Sequence, residues 1–287
     1  MTGFAAINPE EFKAATRAQW NVSAQGWNDQ GPRIRTWLRA STDAMLNMAN
    51  IKPGSRVLDI AAGAGDQTLD IAERVGANGS VLATDLSPAI LEFAARNAER
   101  AGHRHIETLA VDGESLGVDE ASFDAAICRL GLMFYPSPGK GLQEMFKALK
   151  PGGYACILVF SSPDKNPCIT ALMSTALKHA GLPPRDPYQP GGLLSLGKPG
   201  LVDDLFQQAG FSAVATTKIA APFRLPSAAD YLDFIRTSAG PILQILSRLD
   251  DAAREAAWRE VEAKLNAFNI ADGWEGPNEL LLTVGRR

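Results

Sequence analysis

The sequence predicts an α/β fold: an open, mostly parallel seven-stranded sheet with helices on both faces, an N-terminal helical lid and two helical insertions. Three observations carry this. Between 56 and 160, short and almost continuously apolar runs alternate with amphipathic stretches, the pattern of parallel strands covered on both faces. The stretch before it, 9–50, reads as helix alone. After 160 the alternation is interrupted twice by helical stretches before a last apolar run at 279–285.

The elements follow in order. Trp20, Ala24 and Trp27 recur at helical spacing, and a second stripe of Ile34, Trp37, Leu38, Met45 and Met48 follows the Gly31-Pro32 break. Pro53-Gly54 then turns the chain into strands expected at 56–61, 80–85, 105–112, 123–130 and 154–160, with helices at 66–76, 88–101 and 138–149 between them. Right-handed crossovers place the C-terminal ends of these strands on one edge, where sheets of this kind bind ligands. Asn166-Pro167 reads as an N-cap and first-turn proline, and Gly181 as the stop of a helix whose apolar face carries Ile169, Leu172, Met173, Ala176, Leu177 and Ala180. A Pro/Gly-rich loop at 182–192 leads to a helix at 200–209, a strand at 212–220, a helical stretch at 227–268 and the last strand.

Composition narrows the function classes. With 46% hydrophobic and 21% charged residues, the 287-residue chain has an ordinary globular core. A net charge of −4 without a Lys/Arg run argues against nucleic acid or an anionic membrane as a partner. The apolar run 156–160 is too short to span a bilayer. Cys128, Cys156 and Cys168 form no CxxC pair, so neither a disulfide framework nor a metal site is expected, and a reducing compartment is. No basic segment followed by an apolar stretch opens the chain, which gives a cytoplasmic expectation.

The chemistry lies in VLDIAAGAGDQT, 57–68, at the turn from the first strand to the first helix of the sheet. Asp85 ends the second strand, 22 positions after Gly63, where an acid accepts both ribose hydroxyls of an adenosine. Asp112, with Gly113, ends the third strand, where a carboxylate can accept an adenine amino group. Three acids at three successive strand ends (Asp59, Asp85 and Asp112) are the strongest signal in the chain. An NAD(P)-dependent dehydrogenase is the rival reading. It fits poorly, because the third glycine of a GxGxxG turn would fall at Thr68 and Asp66 would repel a pyrophosphate at the helix N-terminus. A non-catalytic binding protein on the same fold stays open.

With VLDIAAGAGD, VLATDLSP, VDGESL, FDAAICRLGLMFYP and LKPGG, the chain resembles the Rossmann-like S-adenosylmethionine-dependent methyltransferases. It is most similar to the small-molecule group that includes the ubiquinone/menaquinone C-methyltransferases. The resemblance covers roughly 50–220 and the last strand. It implies S-adenosyl-L-methionine as cofactor and methyl transfer to a small, largely apolar acceptor. It implies Asp59 at the ammonium, with Asp66 nearby, and Ala61, Gly63, Gly65 and the Cys128–Arg129 peptide beside the methionine part. Leu86 would pack on the adenine edge. Ala61 stands where the family carries its first glycine, which is tolerable if its φ is negative. The organisation expected is a lid at 1–50, a cofactor-binding half at 51–161, a helical cap at 162–198, a return to the sheet at 199–226, a second insertion at 227–270 and the last strand at 271–287.

Methyl transfer from a sulfonium is an in-line displacement, so positioning does most of the work and a base serves only an acceptor that must lose a proton. Arg129 and His179 are the catalytic candidates, against bland readings as a salt-bridged and a surface residue. Trp20, Trp27, Phe134, Tyr135, Phe160, Leu172 and His179 are the candidate acceptor pocket. Thr68 reads as helix packing, and His103 and His105 as solvated residues on the opposite edge.

Overall fold

A computed structural model describes residues 8–287. Pro9–Asp29 (α1) and Gly31–Met48 (α2) open the chain, and Asn8 caps α1 by accepting the Glu10 amide at 3.1 Å. Five parallel strands follow, Arg56–Ile60 (β1), Ser80–Asp85 (β2), Ile106–Ala110 (β3), Phe123–Arg129 (β4) and Leu149–Phe160 (β5). Asp66–Val75 (α3), Pro88–Arg100 (α4) and Pro138–Ala148 (α5) lie between them. Pro167–His179 (α6) departs from the sheet, and Leu201–Gln208 (α7) returns the chain to Ser212–Ala220 (β6). Phe223–Leu225 (β7), Ala228–Ser238 (α8), Gly240–Leu246 (α9), Asp251–Leu265 (α10), Asn269–Ile270 (β8) and Gly273–Gly276 (β9) precede the last strand, Glu279–Arg286 (β10).

The main sheet has seven strands in the order β3-β2-β1-β4-β5-β10-β6, with β10 antiparallel to both neighbours. The strand order reverses between β1 and β4, so α3 and α4 lie on one face with α2 against them, and α5 and α7 lie on the other. β1, β4 and the second half of β5, 155–160, are buried almost throughout, which explains their apolar runs. The reversal opens a crevice at the strand ends. Over it lie α1, packed on α4, α8 and α9, and α6, packed on α9 and α10.

Three local features differ from the sequence reading. LKPGG lies within β5, where the register jumps from Phe123↔Leu149 to Ala125↔Tyr154 and Gly152 takes φ +84°. Asn166 is buried and does not cap α6; its amide donates to the Ser162 and Glu279 carbonyls at 3.1 and 3.2 Å, which ties α6 to the start of β10. The second insertion also carries a three-stranded sheet, β7-β9-β8, so it begins before 227 and ends after 270.

Candidate active site

One cavity occupies the crevice, lined by the ends of β1, β2, β4 and β5, the turn after β3, and residues of α1, α2, α6, α8 and α9. Its two halves differ in chemistry. The half over β1, β2 and β3 carries Asp66, Asp85, Asp112 and Glu114. The half over β5 and the insertions is apolar, with Trp37, Phe160, Leu172, Phe223, Tyr231 and Phe234 in its wall.

Asp85 and Asp112 are held ready as acceptors. Asp85 Oδ1 accepts the Ser87 amide at 2.9 Å and Oδ2 accepts the Gly63 amide at 3.1 Å, which aims the carboxylate across the glycine turn. Burial nevertheless pushes its pKa up to about 6. Asp112 Oδ1 accepts the Glu114 amide at 2.9 Å, while Oδ2 accepts the Lys13 ammonium at 2.6 Å. Leu86 and Gly113 line the same half.

Asp59 is placed differently from the expectation. It is fully buried beneath the cavity and does not line it; Gln67 Nε2 and, at 2.6 Å, Thr68 Oγ1 donate to it. Burial pushes its pKa up to about 7. Gln67 stands between Asp59 and the cavity, and its buried Oε1 has no hydrogen-bond partner among the described residues. A group of the cofactor reaching toward Asp59 therefore meets Gln67 first. Thr68 packs within the helix and serves Asp59.

The turn is left-handed at Ala61, Gly63 and Gly65, with φ of +54°, +59° and +87°. Ala61 thus takes a positive φ, not the negative one on which its tolerance was expected to rest. Gly131 makes room for it: a Cβ on Gly131 would stand 2.3 Å from the Ala61 Cβ. Gly65 does not line the cavity; a Cβ there would meet Ala94 at 3.0 Å, so this glycine serves the packing of α3 on α4. Cys128 lies behind the wall, fully buried, with its thiol pushed up to about 12 by burial, and stays protonated.

Arg129 lines the cavity beside Asp66. Its Nη2 donates to Asp66 and its Nη1 to Thr42 Oγ1 at 2.9 Å. Tyr135 lies at the acidic half, where a Cβ on Gly113 would stand 1.8 Å from its hydroxyl oxygen and one on Gly141 2.8 Å from its ring. Two glycines therefore hold the ring in a slot away from the acceptor side. Trp20 and Trp27 both line the cavity and meet edge to face at 5.5 Å; Trp20 also meets Phe134 at 5.7 Å. Trp37 Nε1 donates to the Ala221 carbonyl at 2.7 Å, which satisfies its polar atom and leaves its ring for the apolar half.

His179 lies outside the cavity, which corrects its expected place in the pocket. It ends α6, about 10 Å along the axis from Leu172, and its Nε2 sits 2.8 Å from Glu260 of α10. Lys178, His179 and Lys264 together hold the Glu260 carboxyl down to about 2. His103 and His105 meet edge to face before β3, away from the cavity. Lys13, Gln67 and Glu114 line the site and escaped the sequence reading. For Lys13 a signal existed: it lies seven residues before Trp20, as Trp20 does before Trp27.

The model of the ubiE/COQ5 methyltransferase family matches residues 34–178, just over half of the chain, from α2 to the end of α6. The chain belongs to the ubiE/COQ5 methyltransferase family. Within that family it is 35% identical over 130 residues to the ubiquinone/menaquinone biosynthesis C-methyltransferase UbiE of Idiomarina loihiensis, covering 45% of this chain and 50% of that protein. The chain spans about half the length of the curated relatives it matches. The fold is also that of the YcgJ protein of Bacillus subtilis (TM-score 0.59, 18% identity, 87% of this chain and 98% of that one). A phosphoethanolamine N-methyltransferase of Haemonchus contortus, solved with S-adenosyl-L-methionine, shares it too (TM-score 0.57, 16% identity, 91% and 57%). The ubiE/COQ5 match includes every strand-end acid of the cavity and stops before α8 and α9. None of the helices among the described residues is long and apolar enough to cross a membrane.

Proposed function

We propose that this chain transfers the methyl group of S-adenosylmethionine to a small acceptor with a largely apolar body. The observation that carries the reading is the division of one cavity into an acidic half at the ends of successive strands and an aromatic half built from α2, the end of β5 and the insertions. The acidic half fits the cofactor's chemistry. Asp85 offers lone pairs to the ribose hydroxyls, Asp112 to the adenine amino group, and the orphaned Gln67 Oε1 to the ammonium. Thr68 stands where a GxGxxG turn would carry its third glycine, which speaks against a nicotinamide dinucleotide.

When bound, S-adenosylmethionine supplies an electrophilic methyl group on its sulfonium. The chain's own residues orient and exclude water. Trp20, Trp27 and Phe134 cover the glycine turn, while Arg129 supplies donors at the boundary of the two halves. Trp37, Phe160, Phe223 and Tyr231 offer aromatic faces to the acceptor, which suits a flat ring of the kind that ubiquinone and menaquinone biosynthesis would present. The three free, buried cysteines accord with the cytoplasm as its place of work.

Titration calorimetry tests the cofactor: heat of binding from S-adenosylhomocysteine and none from NADH is expected. Tight NADH binding with no response to S-adenosylhomocysteine would sink the reading. Labelled S-adenosylmethionine incubated with the protein and a metabolite extract then identifies the acceptor by its label.

A further inference from the structure

Three polar or aromatic residues of α1 fall at intervals of seven, Lys13, Trp20 and Trp27. Residues seven apart on an α-helix lie within about 20° of one another, so the three form one stripe roughly 21 Å long. All three line the cavity, and α1 reaches the three loops at the ends of β1, β2 and β3. Trp27 lies over the first, where a Cβ on Gly63 would stand 3.1 Å from its Nε1. Asn21 meets the second, accepting from Ser87 Oγ at 2.6 Å. Lys13 meets the third, donating to Asp112 at 2.6 Å and to Glu114 at 2.9 Å. Of these contacts only the last is an ion pair.

It is also shielded. The side chains of Lys13 and Glu114 are 15% and 2% exposed, so their attraction is screened far less than that of a surface bridge. Glu114 is fixed from behind by the Ser137 amide at 2.6 Å and cannot follow Lys13 outward without losing that bond. Asp112 Oδ1 is already taken by the Glu114 amide. An adenine amino group arriving at Asp112 therefore joins a carboxylate that already accepts from the Glu114 amide and from Lys13. Outward movement of α1 that carries Lys13 out of hydrogen-bond reach breaks both ionic contacts and leaves Asp112 and Glu114 without this cation.

We propose that Lys13 is a latch that holds α1 closed over the bound cofactor and so sets how long the cofactor stays. This rests on the cofactor reading of the acidic half. Lys13 is a positioning residue here: it acts by holding the helix, through Asp112 and Glu114.

The test follows S-adenosylhomocysteine release by stopped-flow tryptophan fluorescence, with Trp20 and Trp27 as reporters, in wild type, Lys13→Met and Lys13→Arg. Loss of two charge-assisted contacts should speed release about tenfold or more in Lys13→Met. Lys13→Arg, which keeps the cation, should stay within about threefold of wild type. A second arm uses the free protein: trypsin should cut after the exposed Arg17 faster in Lys13→Met, because α1 spends more time open. If Lys13→Met does not fold, Glu114→Gln is followed in both arms and should shift each in the same direction. Release and cleavage at wild-type rates overturn the latch. A wild type that binds no S-adenosylhomocysteine overturns the cofactor reading instead, and the cleavage arm alone then decides whether Lys13 holds α1 down.

Discussion

Gly131 and Ala61 face each other so closely that a Cβ on Gly131 would stand 2.3 Å from the Ala61 Cβ and 2.9 Å from Cys128 Sγ. Ala61 holds a left-handed φ of +54°, whereas Gly131 has φ −106°, which any residue adopts. Substituting Gly131 with alanine therefore costs through crowding, not through backbone strain. We expect Gly131→Ala to destabilise by about 1–3 kcal/mol. Combining it with Ala61→Gly should return part of that loss, since the main clash is removed and the left-handed strain with it. A urea-denaturation double-mutant cycle checks this; additive effects would mean that the two residues are not coupled.

Asp85 is expected to control cofactor affinity and its pH dependence. Asp85→Ala should weaken S-adenosylhomocysteine binding by ~2–4 kcal/mol, the worth of two hydrogen bonds to a charged acceptor. Ribose hydroxyls donate best to the ionised carboxylate, whose pKa burial raises to about 6. Wild-type affinity should be full above about pH 7, pass through half near pH 6 and fall up to about tenfold per pH unit below that. Calorimetry between pH 5 and 8 reads both, and an Asp85→Asn variant with the wild-type pH profile would contradict the assignment.

Asp59 should leave its mark on stability instead. Its folded pKa, raised by burial to about 7, lies above the ordinary carboxylate value. The protonated form is therefore favoured in the folded state. That contribution is present in full below about pH 4 and is lost as pH rises through about 7. Asp59→Asn removes this dependence, and Gln67 can turn its unpartnered Oε1 to meet the new amide. Relative to wild type, Asp59→Asn should gain on the order of 2–3 kcal/mol between pH 5 and pH 8. Denaturant midpoints at the two pH values measure it, and parallel pH profiles for the two proteins would refute it.

Much of this was legible in the sequence, for a physical reason. Strands covered on both faces are largely apolar, so β1, β4 and the second half of β5 announced themselves, and the acids at the end of β2 and just after β3 stood out against them. What stayed hidden depends on contacts distant in sequence. β7 and β8 have three and two residues, too short for any periodicity, and exist because β9 pairs with both. The slot for Tyr135 is made by Gly113 and Gly141, and neither glycine signals its partner. Asn166 carries a capping signature, yet β10 offered its side chain better partners. For Asp59, a place at a strand end did not reveal that Gln67 lies across it.

His179 should prove dispensable for chemistry. It pairs with Glu260 outside the cavity, where the pair joins α6 to α10. His179→Ala should keep wild-type turnover and cofactor affinity, while amide exchange at the C-terminal end of α6 accelerates. Turnover lost at neutral pH with the fold and affinity intact would restore its candidacy as a base.

Arg129 allows stability and function to be separated. Its side chain is 5% exposed, donates to Asp66 and Thr42, and borders both halves of the cavity. Removing it alone leaves Asp66 buried and without its cation, so Arg129→Met should destabilise by about 3–5 kcal/mol. The same loss of activity would then have two explanations, a damaged fold or a missing donor. Arg129→Met with Asp66→Asn removes both charges and should recover most of the stability, because a neutral buried pair no longer requires ionic compensation. If Arg129 orients the acceptor, the recovered double variant stays slow, with kcat/KM for the acceptor reduced at least ~10-fold while S-adenosylhomocysteine still binds. Lysine cannot replace it fully, since an ammonium lacks the planar set of donors that serves Asp66, Thr42 and an acceptor oxygen together. Wild-type kcat/KM in the stable double variant would reduce Arg129 to a structural partner of Asp66. Steady-state kinetics and thermal unfolding on wild type, Arg129→Met and the double variant decide between the two.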